Sequence, residues 1–369
     1  MEPVRLRAML ARTPGLAAGH LLDCLSDRSA AAGLLPADLP MRLLRRPLPA
    51  RARAWLLEPD NRLIDSDLRW IEANDVRILI SVDPDFPQGP ALLAAAPATL
   101  YVAGNARCLG AAALAVVGSR QASAAGRDTA HRWAQDLAGA GVGIIAGFGD
   151  GIDVAAHAGA LAAPGHPIGV CATGLDRIYP TRQAGLAARI RSAGCLVSQF
   201  APGTALLRHH FPLRNRLIGA LGAGTLVVEA AAGCGSLRIA RQTRLLGKPV
   251  FAVPGSIRDP LARGCNQLIR EGAMLVQESC EILRELGIHN INQAVARQVT
   301  AACKPGSGPS PLDNKSEMLL DAAGFEPVDI DVLAFRTGWS GHDVAAMLLL
   351  LELQGRIAPG PGGRYCRLS

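Results

Sequence analysis

From about Val76 onwards, short apolar runs alternate with amphipathic segments of helical length. This alternation is typical of an α/β protein with a doubly wound sheet of mainly parallel strands. The apolar runs that predict strands are RILISV, ALAVVG, VGIIAG, PIGVCATG, CLVSQF, GTLVVEA, KPVFAVPG and AMLV. We therefore predict an α/β domain over residues 76–288.

The segments on either side of this domain have different patterns. Residues 1–75 show short helical patterns broken by proline and glycine, which predicts a small helical domain. Its PGLAAGH stretch fits a plain helix–turn–helix connection or a helix-hairpin-helix contact with the DNA backbone, and both remain open. Residues 289–313 end in KPGSGPSPLD, a composition that indicates a linker.

Residues 314–369 predict a winged-helix-like domain, with two helices, a turn between them and a two-stranded wing. Ser340 and Asp343 form a capping pair at the start of the second helix. No lysine or arginine occurs between Ser340 and Gly355. Because a helix that reads the major groove needs cationic side chains, we interpret this domain as a protein-contact or dimerisation module.

Charge is unevenly distributed along the chain. The 369 residues carry a net charge of +7, but lysines are rare among the 38 basic residues, so a general arginine bias explains part of it. Between Asp176 and Asp259 the sequence contains twelve basic residues and one acidic residue, Glu229, which gives a local net charge of +11. The basic residues are Arg177, Arg182, Arg189, Arg191, Arg208, Arg214, Arg216, Arg238, Arg241, Arg244, Lys248 and Arg258. Such a basic surface indicates a nucleic-acid partner.

The nine cysteines are scattered, and none has CxxC or metal-ligand spacing. This pattern predicts reduced thiols and no metal site. The first residues lack the apolar core of a signal peptide, and the apolar run around Val344–Leu351 is too short for a membrane span. We expect a soluble, cytoplasmic protein with no membrane span.

A doubly wound sheet binds ligands at the carboxyl ends of its strands. One such end is Gly118-Ser119-Arg120, where small residues and a guanidinium group precede a helix and predict a phosphate site. Phe211 lies in FPLRNR beside Arg214 and fits a base-stacking platform. It equally fits a residue that fixes the following helix to the core.

Several patterns raise the question of catalysis. Asp153 and His157 lie four residues apart, and we interpret them as a helix-start carboxylate and a packed histidine. GFGDGID contains GxGxG without the dinucleotide-binding spacing. GAGTLVVEA is loosely similar to the loop of nucleotide phosphoribohydrolases but lacks their PGG opening. We predict no catalytic residue and no cofactor, with a nucleotide-binding hydrolase as the alternative.

Seven motifs, in order, resemble those of one family, DNA processing protein A (DprA, also called Smf). They are VGSR at 117–120, GFGDGIDVAAH at 147–157, TGLDRIYP at 173–180, FPLRNR at 211–216, VVEAAAGCGSL at 227–237, VFAVPG at 250–255 and GCNQLIREGA at 264–273. The flanking helical and winged-helix domains extend the resemblance over nearly the whole chain. Departures from the family pattern include Ala146, Phe148-Gly149, Gln199, Cys234 and Ile239, which weaken a catalytic interpretation further.

The resemblance implies a Rossmann-like core that binds single-stranded DNA without sequence preference and forms a homodimer. It also implies a protein that protects incoming DNA, displaces single-strand-binding protein and loads the RecA recombinase during natural transformation, and that is not an enzyme. The matching positions predict the single-strand site. They are Gly118, Ser119, Arg120, Arg208, His209, Phe211, Arg214, Asn215 and Arg216, with His210 beside them.

Overall fold

The computed structural model of the chain describes residues 3–25, 35–93, 95–288, 314–360 and 362–368. The predicted linker at 289–313 lies outside the described residues. None of the helices in these ranges combines the length and the apolar character needed to span a bilayer.

The N-terminal segment is helical. Its helices are α1 (Pro3–Ala11), α2 (Ala18–Leu22), α3 (Leu39–Leu44), α4 (Ala50–Leu57) and α5 (Asn61–Ala73). The Asp60 side chain caps α5 by accepting hydrogen bonds from the Arg62 and Leu63 N–H groups. The Arg12 guanidinium donates to Asp67 Oδ1 at 2.6 Å and to the Pro202 carbonyl at 2.7 Å, which ties these helices to the α/β body.

The PGLAAGH stretch packs against the α/β body. The Ala18 N–H donates to the Ala96 carbonyl at 3.0 Å, and the Ala17 N–H donates to His20 Nδ1 at 3.0 Å. A helix-hairpin-helix contact would present such N–H groups to DNA phosphates. Because these two are already bonded within the chain, the structure favours a plain connection.

The α/β body is built on a nine-stranded sheet with the strand order β1-β2-β6-β5-β4-β3-β7-β8-β9. Strands β3 to β9 pair in parallel, whereas β2 pairs antiparallel with both β1 and β6. This arrangement confirms the predicted doubly wound, mainly parallel sheet. The strands are β1 (Val76–Ile80), β2 (Thr99–Gly104), β3 (Ala113–Val117), β4 (Gly143–Ala146), β5 (Pro167–Val170), β6 (Cys195–Ser198), β7 (Gly224–Val227), β8 (Val250–Ala252) and β9 (Met274–Leu275).

Helices cover both faces of the sheet. They are α6 (Gln88–Ala91), α7 (Ala124–Gly139), α8 (Ile152–Leu161), α9 (Ala184–Ala193), α10 (His210–Leu221), α11 (Gly235–Leu245), α12 (Arg263–Arg270) and α13 (Ser279–Glu285), with 3₁₀ turns at Ala106–Gly110 and Thr181–Gln183. Strand β3 shows the two layers. Leu114 and Val116 join a core with residues of α7 and α8, whereas Ala115 and Val117 join a core with residues of α10 and α11.

The strand order places a topological switch point between β3 and β7. From β3 the chain builds outward through β4, β5 and β6, and then returns to β7 on the other side of β3. In doubly wound sheets a crevice opens at this point, outside the carboxyl ends of the strands. The loops that follow β3 and β7 therefore border the expected site.

The C-terminal segment has the elements of a winged helix. They are α14 (Asn314–Ala323), β10 (Val328–Asp329), α15 (Ile330–Thr337), α16 (Gly341–Leu353), β11 (Ile357–Gly360) and β12 (Arg364–Arg367), with the three strands in the order β10-β12-β11. The Asp343 N–H donates to Ser340 Oγ at 3.2 Å, as expected for the capping pair. The segment has its own apolar core. The exact domain boundaries remain predictions.

Candidate nucleic-acid interface

Two recesses meet at Arg120 and Arg214, at the switch point of the sheet. The larger, of about 510 Å³, is lined by Val117, Gly118, Ser119, Arg120, Gln121, Asp153, Arg214, Asn215, Ala231, Cys234, Gly235, Ser236 and Ile239. The smaller, of about 120 Å³, is lined by Arg120, Phe148, Gly149, Asp150, Val170, Ala172, Tyr179, Pro180, Arg182, Phe211 and Arg214. Together they form a groove with two arginines at its centre.

Phe211 lies at the start of α10 and is half-buried. Its ring centroid is 5.4 Å from Arg120 Cζ and 5.9 Å from Arg214 Cζ, so two guanidinium groups lie over the ring. The Tyr179 ring contacts it edge-on, with the two centroids 6.4 Å apart. Residues 211 and 214 share one face of α10 because they are three positions apart. The ring therefore lies in a wall of aromatic and cationic groups.

Arg214 is the buried cation of the groove, with only 7 % of the residue exposed. Its Nη1 lies 3.8 Å from Asp153 Oδ2, and its Nε has no hydrogen-bond partner among the described residues. Burial lowers the pKa of Arg214 and raises the pKa of Asp153, since each charged form loses water. A Cβ at Gly147 would overlap the Arg214 guanidinium, so this side chain also requires a glycine beside it.

Asp153 and His157 lie in α8 and organise the loop that precedes it. The Asp153 carboxylate accepts a hydrogen bond from the Gly149 N–H at 3.1 Å, besides facing Arg214. His157 is fully buried, with Nε2 3.0 Å from the Gly147 carbonyl and its ring stacked on Phe148 at 5.7 Å. Burial lowers the pKa of His157 to about 4. This neutral histidine belongs to the packing of the loop.

The loop after β3 presents Arg120, whereas the neighbouring Ser119 is engaged within the chain. The Ser119 N–H donates to the Glu229 carbonyl at 2.7 Å, and Ser119 Oγ accepts from the Gln121 N–H at 3.1 Å. A Cβ at Gly118 would lie 2.5 Å from Ile152 Cγ1, so α8 packs closely against this loop. The exposed Arg120 guanidinium, rather than the Ser119 amide, is the group that this loop offers to an anion.

Glu229, the single acidic residue of the basic stretch, accepts hydrogen bonds from Ser123, the N-cap residue of helix α7. Its Oε1 accepts from Ser123 Oγ at 2.5 Å and its Oε2 accepts from the Ser123 N–H at 2.9 Å. A carboxylate is favourable there because the helix N-terminus carries partial positive charge. Gly126 leaves room for it, since a Cβ there would collide with the carboxylate. This engagement weighs against Glu229 as the acid of a phosphoribohydrolase-like site.

The structure brings together six of the nine predicted site residues: Gly118, Ser119, Arg120, Phe211, Arg214 and Asn215. The other three are absent from the lining of both recesses. Arg208 and His209 are exposed in the segment before α10, where the His209 ring lies 4.6 Å from that of His210. Arg216 is two residues beyond Arg214, a rotation of about 200° along a helix that turns it away from the groove.

Two groove residues were not among the predicted site residues. Tyr179 lies in the TGLDRIYP motif and is an exposed aromatic beside Phe211. Arg182 lines the smaller recess and donates from Nε to Asp150 Oδ1 at 3.0 Å. Tyr179 could have been found as one of only three tyrosines, placed after a strand end.

Acidic residues from outside the basic stretch pair with several of its arginines. Arg241 pairs with Glu271 at 2.9 Å, and Arg244 lies 4.0 Å from the same carboxylate. Lys248 donates to the Ala220 and Gly222 carbonyls at 2.6 and 2.7 Å, which caps the end of α10. Part of the basic stretch therefore serves the fold, whereas Arg120 and Arg214 line both recesses of the groove.

Comparison with known proteins identifies the family. Residues 77–287 match the family model described as DNA recombination-mediator protein A, and residues 304–363 match the DprA winged helix domain. The chain belongs to the DprA family. This membership confirms the resemblance found in the sequence motifs, and the DprA winged-helix match agrees with the fold of the C-terminal segment.

DprA relatives extend the match beyond single domains. Protein Smf of Escherichia coli K12 is 40 % identical over 311 residues, covering 83 % of this chain and 81 % of its own. The X-ray structure of DprA from Streptococcus pneumoniae aligns with a TM-score of 0.65 at 30 % identity, covering 76 % of this chain and 96 % of its own. DprA from Helicobacter pylori, a structure described for its single-stranded DNA binding mode, aligns with a TM-score of 0.53 at 25 % identity over 57 % of this chain and 95 % of its own.

The buried His157 predicts a loss of stability in acid. Its pKa falls from 6.5 to about 4 on burial, so between these values the unfolded chain binds the proton more strongly. The free energy of unfolding should therefore fall by about 3 kcal/mol as the pH drops from about 6.5 to about 4. Urea unfolding at a series of pH values measures this change in the free energy of unfolding.

Two variants serve as the test and its control. His157→Gln, which keeps a donor for the Gly147 carbonyl but does not titrate, should reduce the dependence of the unfolding free energy on pH in acid. His342→Gln, at an exposed position, should not. An unchanged slope in His157→Gln would contradict the assignment.

Proposed function

We propose that this DprA-family chain binds single-stranded DNA without sequence preference, protects incoming strands, and loads the RecA recombinase on them while displacing single-strand-binding protein during natural transformation. The observation that carries the DNA-binding part is the Phe211 ring, with the guanidinium groups of Arg120 and Arg214 over it, at the switch point. Single strands are held by aromatic faces that stack on bases and by cations that follow the phosphates. The single-strand binding of the H. pylori relative supports the same assignment.

Phe211 and Arg120 suggest how a base enters. Arg120 is exposed, and its contact with the ring is a surface cation–π interaction of about 0.5–1 kcal/mol. Stacking of a base contributes about 1–3 kcal/mol. A base therefore displaces the guanidinium from the ring, and Arg120 then pairs with the neighbouring phosphate. Arg214 stays in place because it is buried, faces Asp153 and fits the space that Gly147 leaves.

The same groups account for binding without sequence preference and without catalysis. A ring face and guanidinium groups contact any base and any phosphate, so they carry no base-edge information. The two carboxylates that line the recesses are engaged, Asp153 by Gly149 and Arg214, and Asp150 by Arg182. Glu229, which lines neither recess, is engaged by Ser123. These engagements support a binding protein rather than a nucleotide hydrolase.

The outer edge of the sheet supports the proposed homodimer. Strand β9 is the last strand of the order and pairs on one side with β8. Its Met274 and Leu275 are 40 % and 43 % exposed, and Leu245 at the end of α11 is 80 % exposed. Exposed apolar side chains on an edge strand favour pairing with another chain.

The C-terminal module is proposed to contact protein rather than DNA. Helix α16 exposes Leu349, Leu350 and Leu353, which recur on one helical face, where a DNA-reading helix carries cations. Its charged residues are Asp343 and Glu352. An apolar, acid-flanked helix face suits a protein partner such as the recombinase or a second copy.

Arg120→Ala tests the phosphate contact. It should weaken single-strand binding about equally for all sequences, and the salt slope of log K should decrease by roughly 0.7 for each lost phosphate contact. Fluorescence anisotropy across a salt series measures both. Arg189→Ala, which removes an exposed arginine outside both recesses, is the matched control and should leave the slope unchanged. An unaltered slope in a folded Arg120→Ala protein would exclude this contact.

Phe211 substitutions test base stacking. Phe211→Leu should keep the fold, since leucine fills a half-buried apolar position, but should lose about 1–3 kcal/mol of single-strand affinity. Phe211→Tyr and Phe211→Trp should retain most of it, because each keeps a ring face. Thermal stability is measured in parallel, with Phe335→Leu as a control for the loss of an exposed ring. If affinity follows stability across the three variants, Phe211 is only a core residue.

Leu349→Ser combined with Leu353→Ser tests the C-terminal module. Both side chains are more than half exposed, so the fold should persist. Single-strand affinity should be unchanged, whereas self-association or RecA recruitment should fall, as measured by light scattering and by recombinase filament assembly. A large loss of DNA affinity with the oligomeric state unchanged would show that this module binds DNA.

A further inference from the structure

The larger recess ends at the first turn of α11. Cys234 is the N-cap of this helix and makes no side-chain capping bond, and Gly235 and Ser236 line the recess directly after it. The first N–H groups of a helix lack partners within the helix and attract anions. At α7, by contrast, Ser123 Oγ caps the helix by accepting from the Gly126 N–H at 2.9 Å, and the Glu229 carboxylate accepts from the Ser123 N–H.

A buried cationic side chain lines the same recess. Arg214 lines it, is 7 % exposed, and has a buried Nε without a hydrogen-bond partner among the described residues. Buried polar groups are almost always hydrogen-bonded. An unpaired guanidinium N–H beside an uncapped helix start indicates a ligand that brings acceptor oxygens.

The remaining groups define what the ligand is. Arg120 and Asn215 also line the recess, and the Asn215 amide nitrogen lies 3.5 Å from the position of a Gly235 Cβ. Asp153 contributes one carboxylate, which lies 3.8 Å from Arg214. Two guanidinium groups and one carboxylate give the recess a net positive charge. The partial positive charge of the helix start increases it. Its volume of about 510 Å³ suits a small ligand.

We propose that this recess binds a terminal phosphomonoester, carried by a free nucleoside 5′-monophosphate or by the 5′ end of a DNA strand; the second source rests on the proposed function. The donors come from three elements: Arg120 after β3, Arg214 and Asn215 in α10, and the first amides of α11. A phosphomonoester offers three terminal oxygens and up to two charges. An internal phosphodiester offers two free oxygens and one charge, and uses this donor set less fully.

The test compares oligonucleotides of one sequence with a 5′-phosphate or a 5′-hydroxyl, together with thymidine 5′-monophosphate and thymidine as competitors. We expect the 5′-phosphate to tighten binding about tenfold, the size of one charge-assisted hydrogen bond. We expect the monophosphate, and not the nucleoside, to compete for the site. If the 5′-phosphate tightens binding but the monophosphate does not compete, the site takes the 5′ end of a strand. If the monophosphate competes but the 5′-phosphate does not tighten binding, the site takes a free nucleotide.

A matched pair of variants tests the helix start. Gly235→Pro removes the N1 amide, a position where proline is well tolerated, and Cys234 already has the extended backbone (φ −68°, ψ 164°) that precedes proline. Gly235→Ala keeps that amide. The affinity ratio between 5′-phosphorylated and 5′-hydroxyl strands should fall towards one in Gly235→Pro and persist in Gly235→Ala.

The outcomes separate this inference from the proposed function. If the 5′-hydroxyl strand binds but neither the 5′-phosphate nor the monophosphate has any effect, the terminal-phosphate site is overturned and single-strand binding stands. If the monophosphate binds and the 5′-hydroxyl strand does not, single-strand binding fails and the site survives. Equal ratios in the proline and alanine variants would also overturn the inference.

Discussion

The groove depends on one buried cation, the Arg214 guanidinium. Its Cζ lies 5.9 Å from the centroid of the Phe211 ring, its Nη1 lies 3.8 Å from Asp153 Oδ2, and it requires the absence of a side chain at Gly147. Burying an unpaired charge is costly, and a paired one needs good geometry on every side. The position of Arg214 therefore constrains three segments at once. They are the loop before α8, the start of α10 and the neighbouring strand ends. This rigid cation is the fixed part of the groove, and the exposed Arg120 is its adaptable part.

Local compensation of charge determines what the basic stretch can do. The stretch between Asp176 and Asp259 carries a net charge of +11 in the sequence. In the folded structure part of this charge is neutralised, because Asp150, Asp153 and Glu271 from outside the stretch pair with its arginines. At the groove, Arg120 and Arg214 lie beside an aromatic ring, and this combination favours single strands, whose bases are free to stack.

Much of the fold was predictable because fully buried parallel strands produce continuous apolar runs. Strand β2 (TLYVAG) was not predicted. It follows an alanine-rich stretch and does not belong to the strand–helix alternation, because it pairs antiparallel with β1 and β6 near one edge of the sheet. At the site, Phe211 and Arg214 follow from helical spacing, and the same spacing turns Arg216 away. Two other contacts at the site join residues that are far apart in the chain. The Ser119 N–H donates to the Glu229 carbonyl, and the Tyr179 ring contacts the Phe211 ring. Such contacts depend on tertiary packing, which sequence pattern alone does not give.

The affinity of the full chain for single-stranded and double-stranded DNA of equal length, measured across a salt series, tests the central claim most directly. A groove that combines a stacking ring with a few cations should bind the single strand more tightly at every salt concentration. Log K should fall linearly with log salt, by roughly 0.7 for each phosphate contact, and part of the affinity should persist at high salt through stacking. Equal or tighter binding of the duplex, or an affinity that does not respond to salt, would contradict the account.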